Sequence, residues 1–249
     1  MHAPTTAELN QAFAIEQSHT QLRIENDIGE FPIIHLCNAH AEARISLYGA
    51  QILHYKPHDT AHDVLFLSDK AIYQSGKAIR GGAPICWPWF GADPENQGRP
   101  AHGFARNRLW QLSTTESLND GATRVVLRLN DSPDTLALWP YHFQLELEII
   151  VGKTLKLSLS THNLSDQPMT ISQAIHTYFA VADIAQTEVY GLEQLHYVDK
   201  SKAGQNALRT QDGSIKVKQE VDRIYLNSPS AIQIHDQAWQ RCIRIHSSG

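Results

Sequence analysis

The chain has 249 residues, 42% of them hydrophobic, and a formal charge of −5 from 21 basic and 26 acidic side chains. This is enough apolar material for a substantial core, and the length suits one large all-β domain as well as two small ones. Neither sign of charge forms a block, which argues against nucleic acid or an anionic membrane as a partner; an anionic ligand would have to be held by particular arginines.

Cys37, Cys86 and Cys242 are an odd, widely spaced set without a CxxC pair, which argues against a disulfide framework and a structural zinc site. The start, MHAPTTAELNQAF, lacks the basic residues and apolar run of a signal peptide, and no apolar run approaches a membrane span. The cytoplasm is the expected compartment.

Pro4 to Ile15 reads as a helix, with Thr5 and Glu8 in capping-box spacing and Leu9 and Phe13 on one face; a frayed tail over 1–18 is the other reading. From Gln21 the period changes to short alternating or β-branched runs: Leu22–Glu25, Ile33–Cys37, Ala43–Tyr48, Gln51–Tyr55, Val64–Leu67 and Ala122–Leu129. The clearest strands follow. Phe143, Leu145, Leu147 and Ile149 alternate with polar residues, Val151-Gly152-Lys153 turns the chain, and Leu155, Leu157 and Leu159 continue on the return strand. Met169–Phe179 reads as a further strand, then Thr187–Tyr190, Ile215–Lys218, Ile232–His235 and Cys242–His246. No long helices alternate with these strands and no linker interrupts them, so the expected fold is all-β, an antiparallel sandwich with residues 1–249 as one domain.

Ile79 to Arg106 stands apart. Its four prolines and five glycines forbid a regular helix, while Ile85, Trp87, Trp89, Phe90 and Phe104 call for burial. A binding loop held rigid by proline and a structural loop that plugs a core fit this composition equally well.

Several side chains could carry chemistry. His176 shares one side of its expected strand with Ser172, Ala174 and Tyr178, small neighbours that leave room for a ligand, although a hydrogen-bonded sheet histidine fits the spacing too. His102 precedes Gly103, whose freedom to turn could set His102 and Arg106 on one wall, and Arg80 stands before Gly81-Gly82, where bare backbone admits a close ligand. Arginine suits phosphate or carboxylate through its two parallel donors, and a structural salt bridge is the plain alternative for each. Asp199 could orient a hydroxyl or a histidine. His58, Asp59, His62 and Asp63 read as a solvated loop without the apolar frame of a metal site. There is no GxSxG, Walker-type, GxGxxG or HExxH motif.

Four segments taken in order, Ile79-Arg80-Gly81-Gly82 with Pro84-Ile85-Cys86-Trp87-Pro88, His102-Gly103-Phe104-Ala105-Arg106, His176-Thr177-Tyr178-Phe179 and Tyr197-Val198-Asp199-Lys200, resemble the aldose 1-epimerase superfamily in its hexose-6-phosphate mutarotase branch. The resemblance implies a large β-sandwich of the galactose mutarotase type that interconverts the anomers of a hexose 6-phosphate without cofactor or metal; a monomer is the expected state. It implies that His176 is the general acid on the ring oxygen and His102 a supporting donor. Arg80 and Arg106 would line the sugar-phosphate site, and Asp199 would hold a hydroxyl or a histidine.

Two departures accompany it. Some relatives carry glutamine where this chain has Ala101. Relatives also continue for several strands past the position of Gly249, and the family's general base is a glutamate on one of them. Glu193 and Glu220 stand in other contexts, so no base is assigned. A protein ending at Gly249 is expected to expose strand edges, to be poorly soluble, and to be at best a weak epimerase. The competing readings are a sugar-phosphate binding protein on the same fold without turnover, and an unrelated sandwich in which the arginines only hold the loop.

Overall fold

The computed structural model describes residues 4–26, 29, 31–229 and 231–248, and the chain divides into two compact units, Met1–Ala180 and Val181–Gly249. The first unit opens on the helix Thr6–Phe13. The Thr5 hydroxyl accepts the Glu8 N–H while the Glu8 carboxylate accepts the Thr5 N–H, so two end donors are satisfied reciprocally. The helix is no frayed tail. Leu9 is buried, and the Asn10 amide bonds both backbone groups of Ile24, at 2.6 and 2.9 Å.

Five antiparallel strands follow in chain order: Ile15–Gln17, Thr20–Glu25, Ile33–Cys37, Ala41–Ser46 and Gln51–Pro57. A second sheet orders Leu155–Asn163, Phe143–Val151, Thr123–Asn130 and Gln111–Ser117, each antiparallel to its neighbour. Alternation decides which face is covered. Leu22, Ile24, Ile34, Leu36, Ala43 and Ile45 of the first sheet share one cluster with Val125, Leu127, Phe143, Leu145, Leu147 and Ile149 of the second. The outer face of the second sheet carries ion pairs between cross-strand neighbours, Arg124–Glu148 at 2.6 Å and Arg128–Glu146 at 2.7 Å. Two sheets closed on one core make the sandwich that the alternation predicts.

Several expected elements differ. Val64–Leu67 makes only isolated bridges, Leu65 with Phe179 and Leu67 with Gly81, because its partners are irregular loop backbone. Met169–Phe179 is regular strand only at Ala174–Ile175, paired with Ile85–Cys86; around it, the N–H groups of Ser172, His176 and Tyr178 bond the carbonyls of Pro88, Pro84 and Gly82. The strand Gln111–Ser117 was not legible, since its run QLSTTES has almost no apolar alternation and forms an edge. The short helix Pro133–Leu138, capped by Ser132, was also missed.

The second unit holds two small sheets, one ordering Ile215–Lys216, Thr187–Tyr190, Ala231–Asp236 and Arg241–His246, the other Leu208–Thr210, His196–Asp199 and Arg223–Tyr225. A polar knot fastens the latter, where the buried Gln211 accepts hydrogen bonds from Arg223 and from the Tyr225 hydroxyl, both at 2.6 Å. Among the described residues, no helix is long and apolar enough to cross a membrane.

Candidate active site

The segment 79–106 takes part in the core, as the reading of a structural loop expected. Its aromatics plug the core: Trp87 is fully buried against Trp139, Phe104 and Phe143, with ring centroids 5.2, 5.7 and 4.5 Å away, and its indole N–H donates to the Thr161 hydroxyl at 3.1 Å. Of the segment's polar side chains, Arg80, Glu95, Asn96 and Gln97 are exposed, while those of Asp93 and Arg99 are buried. The Trp87 carbonyl accepts the N–H groups of Phe104 and Ala105, at 3.0 and 3.2 Å, and so draws the HGFAR segment onto the buried strand.

That approach requires Gly103. It has φ +71°, and a Cβ there would collide with the Trp87 carbonyl oxygen and carbon. Gly103→Ala combines left-handed strain with a backbone collision, and we expect a loss of more than about 2 kcal/mol, read from the denaturant midpoint. Gly82, with φ +61°, meets the Ile52 carbonyl in the same manner, which lets the Arg80-Gly81-Gly82 backbone lie against the strand Gln51–Pro57. The buried Gln51 amide bonds the Gly81 carbonyl at 2.6 Å, and Ser68 N–H bonds the Arg80 carbonyl at 3.1 Å. Arg80 is thus fixed at its root while its side chain is exposed.

His102 is itself left-handed, with φ +65°, a conformation uncommon outside glycine and concentrated at sites that use the strain. Its Nδ1 accepts the Gly91 N–H at 3.1 Å, and its own N–H donates to the Gly91 carbonyl at 2.7 Å. A backbone N–H can only donate, so Nδ1 must be unprotonated and the ring proton sits on Nε2. Burial pushes the His102 pKa down, and the charges of Arg106, His176 and Arg80 push it the same way. Neutral His102 is therefore a fixed Nε2–H donor.

This has a consequence for stability. With the folded pKa below the ordinary 6.5, the unfolded chain binds more protons than the folded one between the two values. The contribution is complete above the ordinary value and is lost as pH falls through the folded one. His102→Gln, which can accept from Gly91 and still donate, should flatten the acid side of the stability curve, as measured by urea midpoints between about pH 5 and about pH 7.5.

The His176 ring lies 6.0 Å from that of His102, edge to face, and 5.1 Å from the Tyr178 ring. Backbone bonds to Pro84 and Gly82 seat this segment on the loop that carries Arg80. The Arg106 guanidinium donates to the Ala101 carbonyl at 2.9 Å, and its Nε is buried without a hydrogen-bond partner. Arg80, His102, Arg106 and His176 are thus gathered in the first unit, with both arginines acting electrostatically on His102.

Asp199 lies in the second unit. Its carboxylate accepts the Ser201 hydroxyl at 2.6 Å and pairs with Arg209 at 3.1 Å; the Ser201 bond leads the interactions that hold its pKa below the ordinary value.

Two features of the first unit escaped the sequence reading. Asp93 accepts the N–H groups of Glu95, Gln97 and Arg99 together with the Arg99 side chain, which also stacks on Trp89 at 4.5 Å. This clamp folds the connection 91–101 that returns the chain to His102. The D-x₅-R spacing is a weak signal, since turn-capping aspartates are common. Phe90 is the other. Expected in the core with the tryptophans, it is 40% exposed, with its ring 5.0 Å from His102 and 6.3 Å from His176.

Comparison with known proteins supplies the family. Residues 32–249 match the family model for aldose 1-epimerase. A protein of Escherichia coli (strain K12), provisionally named a glucose-6-phosphate 1-epimerase, is 37% identical over 219 residues, covering 88% of this chain and 71% of that one. Its namesake from Salmonella typhimurium is 34% identical over 239 residues, 95% of this chain and 78% of that one. Among solved structures, a provisionally assigned mutarotase from Salmonella typhimurium aligns with TM-score 0.81 at 34% identity, covering 96% of this chain and 78% of that one. A galactose mutarotase-like protein from Clostridium acetobutylicum shares the fold, with TM-score 0.76 at 15% identity over 94% of this chain and 82% of that one. The chain belongs to the aldose 1-epimerase family.

Proposed function

We propose that this protein interconverts the α and β anomers of a hexose 6-phosphate, with glucose 6-phosphate as the preferred substrate. The observation that carries the reading is the gathering of two histidines, one of them locked as a neutral donor, with two arginines in a family of sugar epimerases. The names of the relatives supply the phosphate.

The chemistry needs only proton transfers. A base removes the proton from the anomeric hydroxyl as the bond between C1 and the ring oxygen breaks, and an acid protonates that oxygen. Rotation about C1–C2 turns the aldehyde face, and the same steps in reverse close the other anomer. In our assignment His176 gives and recovers the ring-oxygen proton, because histidine can do both near neutrality. His102 donates from Nε2 to a sugar oxygen. Arg80 and Arg106 take the phosphate, whose negative charge offsets the cationic field that His102 feels. Asp199 is assigned to a sugar hydroxyl on its motif alone, and the group that takes the anomeric proton has no assignment.

The family match runs without a break across both compact units, which supports reading the chain as one mutarotase-type domain. We expect it to act as a cytoplasmic monomer. The test is thermal stabilisation by mass action, since a ligand that binds only the folded protein must raise its midpoint. Glucose 6-phosphate should raise it more than inorganic phosphate, and glucose least. Equal shifts, or none, would count against the reading.

A further inference from the structure

We infer that Phe90 is the platform on which the apolar C–H face of the pyranose rests, so that it holds the sugar as distinct from its phosphate. The inference rests on the sugar-phosphate reading above and adds a contact that reading does not contain.

The seven residues before Phe90, Ala83 to Trp89, are all buried, whereas Phe90 itself is 40% exposed. It turns its ring toward the two histidines. The ring is tilted 32° from His176 and 59° from His102, and the three centroids form a triangle with sides of 5.0, 6.0 and 6.3 Å.

Its backbone is fixed on both sides. The Phe90 N–H donates to the Ser172 hydroxyl at 3.0 Å, and Gly91 exchanges two hydrogen bonds with His102. A preorganised ring loses little freedom when a ligand covers it, which is how an exposed aromatic contributes affinity. A pyranose offers the complement, because its hydroxyls point around the rim and its C–H groups lie above and below the ring. Arginines can grip a phosphate whatever it is attached to; an apolar surface beside the histidines adds a contact that the sugar ring has and free phosphate lacks.

The experiment measures dissociation constants of wild type, Phe90→Ala and Phe90→Trp for glucose 6-phosphate and for inorganic phosphate. Phe90→Ala should weaken the sugar phosphate about tenfold, in keeping with loss of one aromatic contact, and leave inorganic phosphate within about twofold. Phe90→Trp should keep the affinity. Because the ring is half in water, circular dichroism should show both variants folded. A Phe90→Ala protein that binds glucose 6-phosphate as wild type does, or that loses both ligands equally, overturns the platform. So does a wild type that binds glucose 6-phosphate no more tightly than inorganic phosphate. A wild type that binds the sugar phosphate but does not interconvert its anomers overturns the catalytic reading alone and leaves the platform to be judged on the affinities.

Discussion

His176→Asn is expected to lower anomer interconversion by at least about 10²-fold, the ordinary worth of a positioned proton donor, while sugar-phosphate binding persists. Asparagine fills a similar volume and keeps a hydrogen-bonding tip, yet it cannot deliver a proton to a leaving ring oxygen. His176 is exposed and its backbone, not its ring, ties the segment to Pro84, so the variant should fold. Exchange kinetics and calorimetric affinity on the same preparation separate the outcomes. A parallel fall in both would make His176 a structural histidine.

Arg106→Ala should weaken glucose 6-phosphate by about 1.5–3 kcal/mol, about 10- to 150-fold, as expected for a hydrogen bond to a charged group. Unphosphorylated glucose should be little affected. A second readout follows from electrostatics. After burial, Arg106 is the leading influence that lowers the His102 pKa, so its removal should move the His102 titration upward in NMR. A structural arginine elsewhere would alter neither the phosphate selectivity nor that titration.

How much of this was legible in the sequence depends on what kind of signal each part leaves. Strands with one buried face announce themselves: Phe143 to Ile149 and the runs from Leu22 to Tyr55 lie where alternation puts them, because a one-residue slip would turn the apolar set to water. Gln111–Ser117 left no such mark, since an edge strand with polar side chains satisfies its backbone by pairing alone. In the sequence Gly103 reads as freedom to turn and Gly81-Gly82 as bare backbone open to a ligand. What they provide is contact, because Gly82 and Gly103 admit carbonyls where any side chain would collide.

His102, Arg80 and Arg106 were singled out by motif, and the coordinates supply what spacing could not: the tautomer, fixed by a single backbone N–H from Gly91. Phe90 and the Asp93–Arg99 clamp were missed for different reasons. The outward turn of one ring in a run such as WPWF depends on partners far along the chain, whereas the pairing of Asp93 with Arg99 is local but carried by a spacing too common to single out.

The central claim is that this chain exchanges the anomers of a hexose 6-phosphate. It is tested most directly by two-dimensional exchange NMR of glucose 6-phosphate near neutral pH, following the cross peaks between the α and β H1 resonances as protein is added. The account predicts an exchange rate above the spontaneous one, rising in proportion to wild-type protein and absent with His176→Asn. Exchange that stays at the rate of buffer alone with wild-type protein at saturating substrate would contradict it.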